Sequence, residues 1–230
     1  MTAIENRVAL VTGANRGIGR EVARQLMERG WHAILTARDQ SKGRNAADEL
    51  GAEFVQLDVG SEASIDRCFR SVEVTHGRLD ALINNAAIYY DTWQRGMDAD
   101  LNVVREAFET NLFGSWRACR AAIPLMQRHG WGRIVNVSSG DGSLTSMSGG
   151  TPAYSVSKAA LNALTRVLAG ELRGTGILVN SVCPGWVATD MGGPGGRPLQ
   201  AGGASVMWAV VLDDKGPTGG FFRDGRPVAW

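Results

Sequence analysis

The chain has 230 residues, a length that suits one large α/β domain with a continuous sheet rather than two separate units. With 44% hydrophobic and 20% charged residues and a formal net charge of +1, it carries no basic excess for a nucleic-acid or membrane-surface partner. The three cysteines, Cys68, Cys119 and Cys183, lie far apart without a CxxC pair, which argues against a disulfide framework or a thiolate metal site and for a reducing, cytoplasmic setting.

No run reaches the length of a membrane span, and Met1 to Asn6 offer neither a basic nor an apolar leader. Short β-branched runs alternate with longer helical patterns along the chain, the signature of βαβ units in a mostly parallel sheet. Arg7 to Thr12 reads as the first strand, and a glycine-rich turn leads into a helix over Glu21 to Gly30, with apolar residues at Val22, Ala23, Leu26 and Met27. His32 to Ala37, Phe54 to Leu57 and Leu79 to Asn84 read as the next three strands, separated by helical segments. Glu106 to Gly130 holds one long or broken helix, and Gly132 to Ser138 is a fifth strand. The glycine- and serine-rich stretch Ser138 to Gly150 is expected to be mobile or shaped by a ligand. Pro152 opens a helix to Arg173, because a proline suits a first helical turn. Ile177 to Cys183 is a sixth strand, the glycine-rich stretch Gly192 to Gly196 precedes a helix around Ala204 to Leu212, and Gly219 to Phe222 is a last strand. The apolar run Val206 to Leu212 reads as a buried helix face. The expected fold is α/β: a single-domain, Rossmann-type, doubly wound parallel sheet in three layers, of about seven strands in the order 3-2-1-4-5-6-7.

Gly13-Ala-Asn15-Arg16-Gly17-Ile18-Gly19 stands between the first strand and the first helix. Three glycines at this spacing arise by chance on the order of 0.5 times in such a chain, so the strand-turn-helix context carries the argument. Glycines let the backbone approach a pyrophosphate, and the helix that follows presents unpaired N–H groups and a positive dipole end. At the end of the second strand, where NAD-binding proteins place a carboxylate on the ribose, this chain has Ala37 followed by Arg38. Arg16 and Arg38 can pair with a 2′-phosphate, which favours NADPH over NADH, although Asp39 could also turn inward and oppose it.

Tyr154-Ser-Val-Ser-Lys158 lies at the start of a predicted helix, so the phenol and the ammonium share one face. An adjacent ammonium stabilises a phenolate, and the pair is expected to bring the tyrosine nearer to neutral pH for proton transfer. With three tyrosines in the chain, such a Tyr-x-x-x-Lys pair occurs by chance about one time in twenty-five.

Together these motifs resemble the short-chain dehydrogenase/reductase family along essentially the whole chain, and more narrowly its carbonyl reductases. The glycine loop matches the family's TGxxxGIG pattern, Asp58-Val59 its adenine-contacting segment, and Asn84-Asn85-Ala86-Ala87 its NNAG segment with alanine in place of the last glycine. Asn111, Ser139, Tyr154 and Lys158 match its four catalytic positions, and Pro184-Gly185 with Val187 and Thr189 its nicotinamide-contacting turn. The resemblance implies hydride transfer from NADPH to a small-molecule carbonyl, with Tyr154 donating the proton, Ser139 orienting the oxygen, Lys158 binding the nicotinamide ribose and Asn111 holding a water. It also implies a substrate site built from the loops 86–97, 139–153 and 185–200, and a homodimer or tetramer packed through the helices after the fourth and fifth strands, where Ala159, Ala163 and Gly170 allow close approach. The long insertion that animal carbonyl reductases carry before the tyrosine is missing, and the Gly/Pro segment after Thr189 is short, which implies an open pocket.

Two other readings belong to the same residues: an alcohol or sugar dehydrogenase working oxidatively, and a non-catalytic NADP(H)-sensing protein. His32, His76 and His129 are isolated in sequence and read as structural, so no metal is expected. No G-x-S-x-G elbow is present to suggest a hydrolase. Tyr89, Tyr90, Trp93 and Trp186 follow strand ends and can be either a substrate wall or ordinary packing.

Overall fold

The computed structural model describes residues 7–230; Met1 to Asn6, read above as carrying no leader, lie outside them. Strands β1 (Val8–Val11), β2 (His32–Ala37), β3 (Glu53–Gln56), β4 (Ala81–Asn84), β5 (Gly132–Val137), β6 (Ile177–Val182), β7 (Phe221–Arg223) and β8 (Arg226–Pro227) form one sheet in the order β3-β2-β1-β4-β5-β6-β7-β8. All pairings are parallel except the last, where the two residues of β8 turn back antiparallel on β7. The eighth strand is the one addition to the expected order. It is too short to carry an alternating pattern, and the tight turn at Asp224-Gly225, both with positive φ, is what returns it.

The central strands β1, β4, β5 and β6 are buried at every residue, so none shows the alternation of a half-exposed strand: β1 reads as a continuous apolar run, and Asn84, Arg133, Asn136, Asn180 and Ser181 are buried polar residues within the others. Helices cover both faces. On one side α3 (Glu62–His76), α5 (Ser115–Gln127) and α6 (Pro152–Glu171) enclose a core around Leu10, Leu82, Ile134 and Leu161. On the other, α1 (Gly17–Met27), α2 (Gln40–Leu50) and α7 (Leu199–Val210) pack over Val11, Leu35, Ile83 and Val135. Local capping sets the ends: Asp39 accepts from Lys42 N–H and Ser61 from Ser64 N–H, while Gly51 and Gly77 close α2 and α3 in the left-handed region.

Three boundaries differ from expectation. α1 begins at Gly17 rather than Glu21, because the glycine loop itself supplies the first turn. α7 begins at Leu199, five residues early, since Pro198 provides an extended entry that composition alone does not mark. The Glu106 to Gly130 stretch is part of a longer broken helix: α4 (Leu101–Phe108) runs through a single wide π-turn, Glu109–Gly114, into α5. Among the described residues no helix is long and apolar enough to cross a membrane.

Candidate active site

Strand order reverses between β1 and β4, and the helices leaving those two strands diverge, so a crevice opens at the carboxyl ends of the sheet. A cleft of about 800 Å³ fills it. Along one end lie Gly13, Asn15, Arg16, Gly17 and Ile18 of the glycine loop, Arg38 after β2, and Asp58 and Val59 after β3. α1 starts at this wall with no side chain capping it, so its first N–H groups are available to an anion. Gly13 (φ +62°) must be glycine here, because a Cβ would lie 2.9 Å from Ala86 Cα.

Asn85 and Ala86 also reach the cleft. Asn85 Nδ2 donates to the Thr12 and Gly13 carbonyls at 3.0 Å each, and the Asn85 and Ala86 N–H groups both donate to Thr12 Oγ1, also at 3.0 Å. Asn85 thus bolts the glycine loop to the end of β4, and Thr12, which sequence reasoning passed over, is the hub of that bolt. Gly19 stands behind the wall: a Cβ there would fall 2.4 Å from Asn85 Nδ2. Arg16 pairs with Asp190 at 2.6 Å across the open mouth, both side chains exposed, whereas Arg38 makes no ion pair among the described residues. Asp39 is engaged as the cap of α2.

At the other end Tyr154 and Lys158 stand one turn apart on α6 and both line the cleft, 8% and 2% exposed. Pro152 gives the helix its preset first residue, and the Ala153 and Tyr154 N–H groups donate to the two carboxyl oxygens of Asp91 at 2.9 and 3.0 Å. Asp91 is fully buried and comes from the loop after β4, 63 residues away from Tyr154, so no local pattern announces it. Asp91→Ala removes the cap of the helix that carries the tyrosine and should lower stability by about 2 kcal/mol, seen as a fall in Tm of about 4–8 °C. An unchanged melting curve would show that the cap is dispensable.

Lys158 Nζ donates to the Val137 carbonyl at 2.8 Å and lies 5.6 Å from the centre of the Tyr154 ring. Ser139, just after β5, lines the cleft with Tyr154, and its Oγ accepts from Asp141 N–H at 3.2 Å. Burial pushes the Tyr154 phenol well above its ordinary range, outweighing the lowering effect of the nearby Ser139 hydroxyl, while burial pulls Lys158 down to about 8. The expected lowering of the tyrosine by its lysine is therefore not found: desolvation acts on both groups, and the ammonium is turned towards Val137.

Asn111 is fully buried in the π-turn and does not reach the cleft, although its neighbour Thr110 does. Its Nδ2 donates to the Ile88 carbonyl (3.1 Å) and to Ser157 Oγ (3.0 Å), and its Oδ1 accepts from Ile88 N–H (2.8 Å). Ser157 Oγ in turn donates to the Tyr154 carbonyl at 2.7 Å. The side chain thus ties the exit of β4 to α6, with both amide protons already spoken for.

Pro184, Gly185, Val187 and Thr189 line the wall after β6. The glycine-rich segment that follows is held by bridges between Val187 and Arg197 and between Thr189 and Gly193, and by the Trp186 indole N–H donating to the Gly192 carbonyl at 2.7 Å. Of the four aromatics, Tyr90 and Trp186 face the cleft, Tyr90 packing edge-on to Tyr154 at 5.3 Å. Tyr89 and Trp93 pack on one another at 6.2 Å, with the Tyr89 hydroxyl on Glu106. The loop after Ser139 is ordered by the C-terminus: Ser143 Oγ donates to the Ala229 carbonyl (2.7 Å) and Thr145 N–H to that of Trp230 (2.8 Å). Asp141 and Arg223 also line the cleft, the latter 2.9 Å from Cys183 Sγ.

The profile of the short chain dehydrogenase family matches residues 7–197. The chain belongs to the short-chain dehydrogenase family. Among relatives of this short-chain dehydrogenase, carbonyl reductase (NADPH) 1 of Bos taurus is 34% identical over 98% of this chain and 99% of its own length. The 3-oxoacyl-(acyl-carrier-protein) reductase FabG of Salmonella typhimurium is 36% identical over 82% of this chain and 77% of its own. An NADPH-bound carbonyl reductase from chicken fatty liver has a TM-score of 0.87 and 30% identity, covering 99% of this chain and 100% of that one. The residues around the cleft fit the nicotinamide dinucleotide that such a fold implies. The uncapped start of α1 awaits an anion, and Ser138 Oγ, buried on the cleft wall, has no hydrogen-bond partner among the described residues.

One further expectation is corrected. His32 and His76 are not isolated: both imidazoles meet Glu53 at the amino ends of β2 and β3, away from the cleft, while the His129 ring lies 3.4 Å from the Gly77 carbonyl next to His76.

Proposed function

We propose that this short-chain dehydrogenase reduces the carbonyl group of aldehydes or ketones, over a broad substrate range, with NADPH preferred to NADH. The observation that carries the reading is the buried Tyr154 phenol, which shares one cleft with Ser139, the glycine loop and Arg38. Bound along this cleft, NADPH supplies the hydride. Tyr154, kept protonated by burial, donates its proton to the carbonyl oxygen, and Ser139 orients that oxygen with a second hydrogen bond, so the developing alkoxide meets two prearranged donors. Lys158 holds the nicotinamide ribose, and its ammonium offsets the phenolate that proton transfer leaves behind. Asn111 acts as a positioning residue through Ser157 and the Tyr154 carbonyl. Arg38, helped by Arg16 when it leaves Asp190, takes the 2′-phosphate. Loops 86–97, 139–153 and 185–200 form the substrate end, with Tyr90 and Trp186 as its apolar wall.

A panel of aliphatic, aromatic and quinone carbonyls, followed by NADPH consumption, tests this reading; tight NADPH binding without turnover on any member would favour a sensor instead. The pH profile carries a sign. Lys158, pulled down to about 8, is an ammonium below that pH and neutral above it, so reduction should fall as pH rises through about 8. In Lys158→Met that fall should vanish along with most of the activity; a wild-type rate that climbs through the same window contradicts the assignment.

For assembly we propose a homodimer or tetramer in the cytoplasm. Phe113, Trp116, Val156 and Val167 leave apolar side chains exposed on the π-turn, α5 and α6, the elements through which such a contact would form. Sedimentation velocity decides it, a monomer being the contrary result.

A further inference from the structure

We propose that His32, Glu53 and His76 form a binding site for a borderline divalent transition metal, of which Zn²⁺ is the reference, on the side of the sheet opposite the cleft. The site assembles from three elements. His32 is the first residue of β2 and Glu53 the first of β3; in the register Glu53 stands opposite Ile34, so His32 is its diagonal neighbour, two residues along. The alternation of strand side chains puts His32, Ile34, Glu53 and Val55 on one face, and Ile34 and Val55 pack into the core that α3 covers. α3 ends on that face at His76, its last residue before the left-handed Gly77.

The three side chains converge on one point. His32 Nε2 and His76 Nε2 lie 2.6 and 2.9 Å from the same oxygen, Glu53 Oε2, and the three atoms all fall within 4.8 Å of one another. The imidazole rings are 4.6 Å apart at a 47° tilt, so both present a ring nitrogen to the shared oxygen instead of stacking. Two nitrogens and a carboxylate oxygen at this spacing need only small side-chain rotations to take up metal distances of about 2.0–2.2 Å. The side chains of His32 and Glu53 are 45% and 26% exposed, which leaves solvent for the open coordination positions, while His76, at 14%, is held by the fold. Imidazole donors select Zn²⁺, Co²⁺, Ni²⁺ or Cu²⁺ over Mg²⁺ and Ca²⁺, which take oxygen ligands. A metal here would pin the edge strand β3 to β2 and to the end of α3, far from the cleft, and so act on stability rather than turnover.

The experiment is a calorimetric titration of the untagged full chain with Zn²⁺, run alongside His76→Ala and Glu53→Gln. The cysteines are buried, so thiols do not compete; His129, whose ring nitrogen lies 3.4 Å from the Gly77 carbonyl next to His76, is outside the three-residue cluster, and His129→Ala should leave Zn²⁺ affinity nearly unchanged. The expected result is one Zn²⁺ per chain with a raised Tm. Affinity should fall by about 100-fold or more in either variant, at least what losing a group that merely orients a ligand costs, while NADPH-dependent turnover is unchanged. Co²⁺ loaded into the wild-type chain should give the intense visible absorption of a four- or five-coordinate ion, a readout that needs no variant to fold. No binding at millimolar Zn²⁺, or equal affinity in wild type and both variants, overturns the proposal. Neither outcome bears on the reductase reading, whose residues lie at the carboxyl ends of the strands.

Discussion

Tyr154→Phe should reduce carbonyl turnover by about 10³-fold, the scale of a positioned general acid, while leaving NADPH affinity within a factor of a few. The substitution deletes one oxygen from a buried ring and keeps its packing against Tyr90, so the cleft and the start of α6 keep their shape. The loss therefore falls on kcat, because the missing donor acts on charge that develops only in the transition state. Full turnover in this variant would remove the phenol from the reaction and return the proton to solvent or to Ser139.

Arg38→Asp should invert cofactor preference. A guanidinium paired to a phosphate contributes about 1.5–3 kcal/mol, so kcat/KM with NADPH should drop by about 10- to 150-fold from its loss alone, and further from the carboxylate placed in its stead. With NADH the same carboxylate can accept from the ribose hydroxyls, so that rate should hold or rise. Arg38 is the better target than Arg16, whose guanidinium already has Asp190 as a partner. Unchanged preference would mean that the 2′-phosphate binds elsewhere on the cleft.

The parts legible in the sequence were those governed by local pattern. A fully buried parallel strand such as Val8–Val11 shows as an apolar run, and the glycine loop and the Tyr154–Lys158 spacing each record one local geometry. What was not legible depends on chain segments that meet only after folding. Asp91 holds the N-terminus of α6 from a loop with no period, and Glu53 gathers two histidines 44 residues apart through strand register. The π-turn that buries Asn111 keeps an ordinary helical composition, since one wider turn shifts the periodicity without a breaking residue. Ser138 to Gly150 reads as mobile or ligand-shaped because its glycines and serines are loop formers, yet Ser143 and Thr145 within it are bonded to the Ala229 and Trp230 carbonyls. The balance of burial against charge at Tyr154 was invisible for the same reason, as it depends on what encloses the phenol and not on its neighbour in sequence.

The central claim is that this cleft moves hydride onto a carbonyl carbon. Incubating the chain with a ketone and NADPH carrying deuterium at the transferable position, then analysing the product by mass spectrometry, tests it directly. The account predicts alcohol with one deuterium on the carbinol carbon, formed in step with NADP⁺. Bound NADPH that stays reduced in the presence of every ketone offered would contradict it.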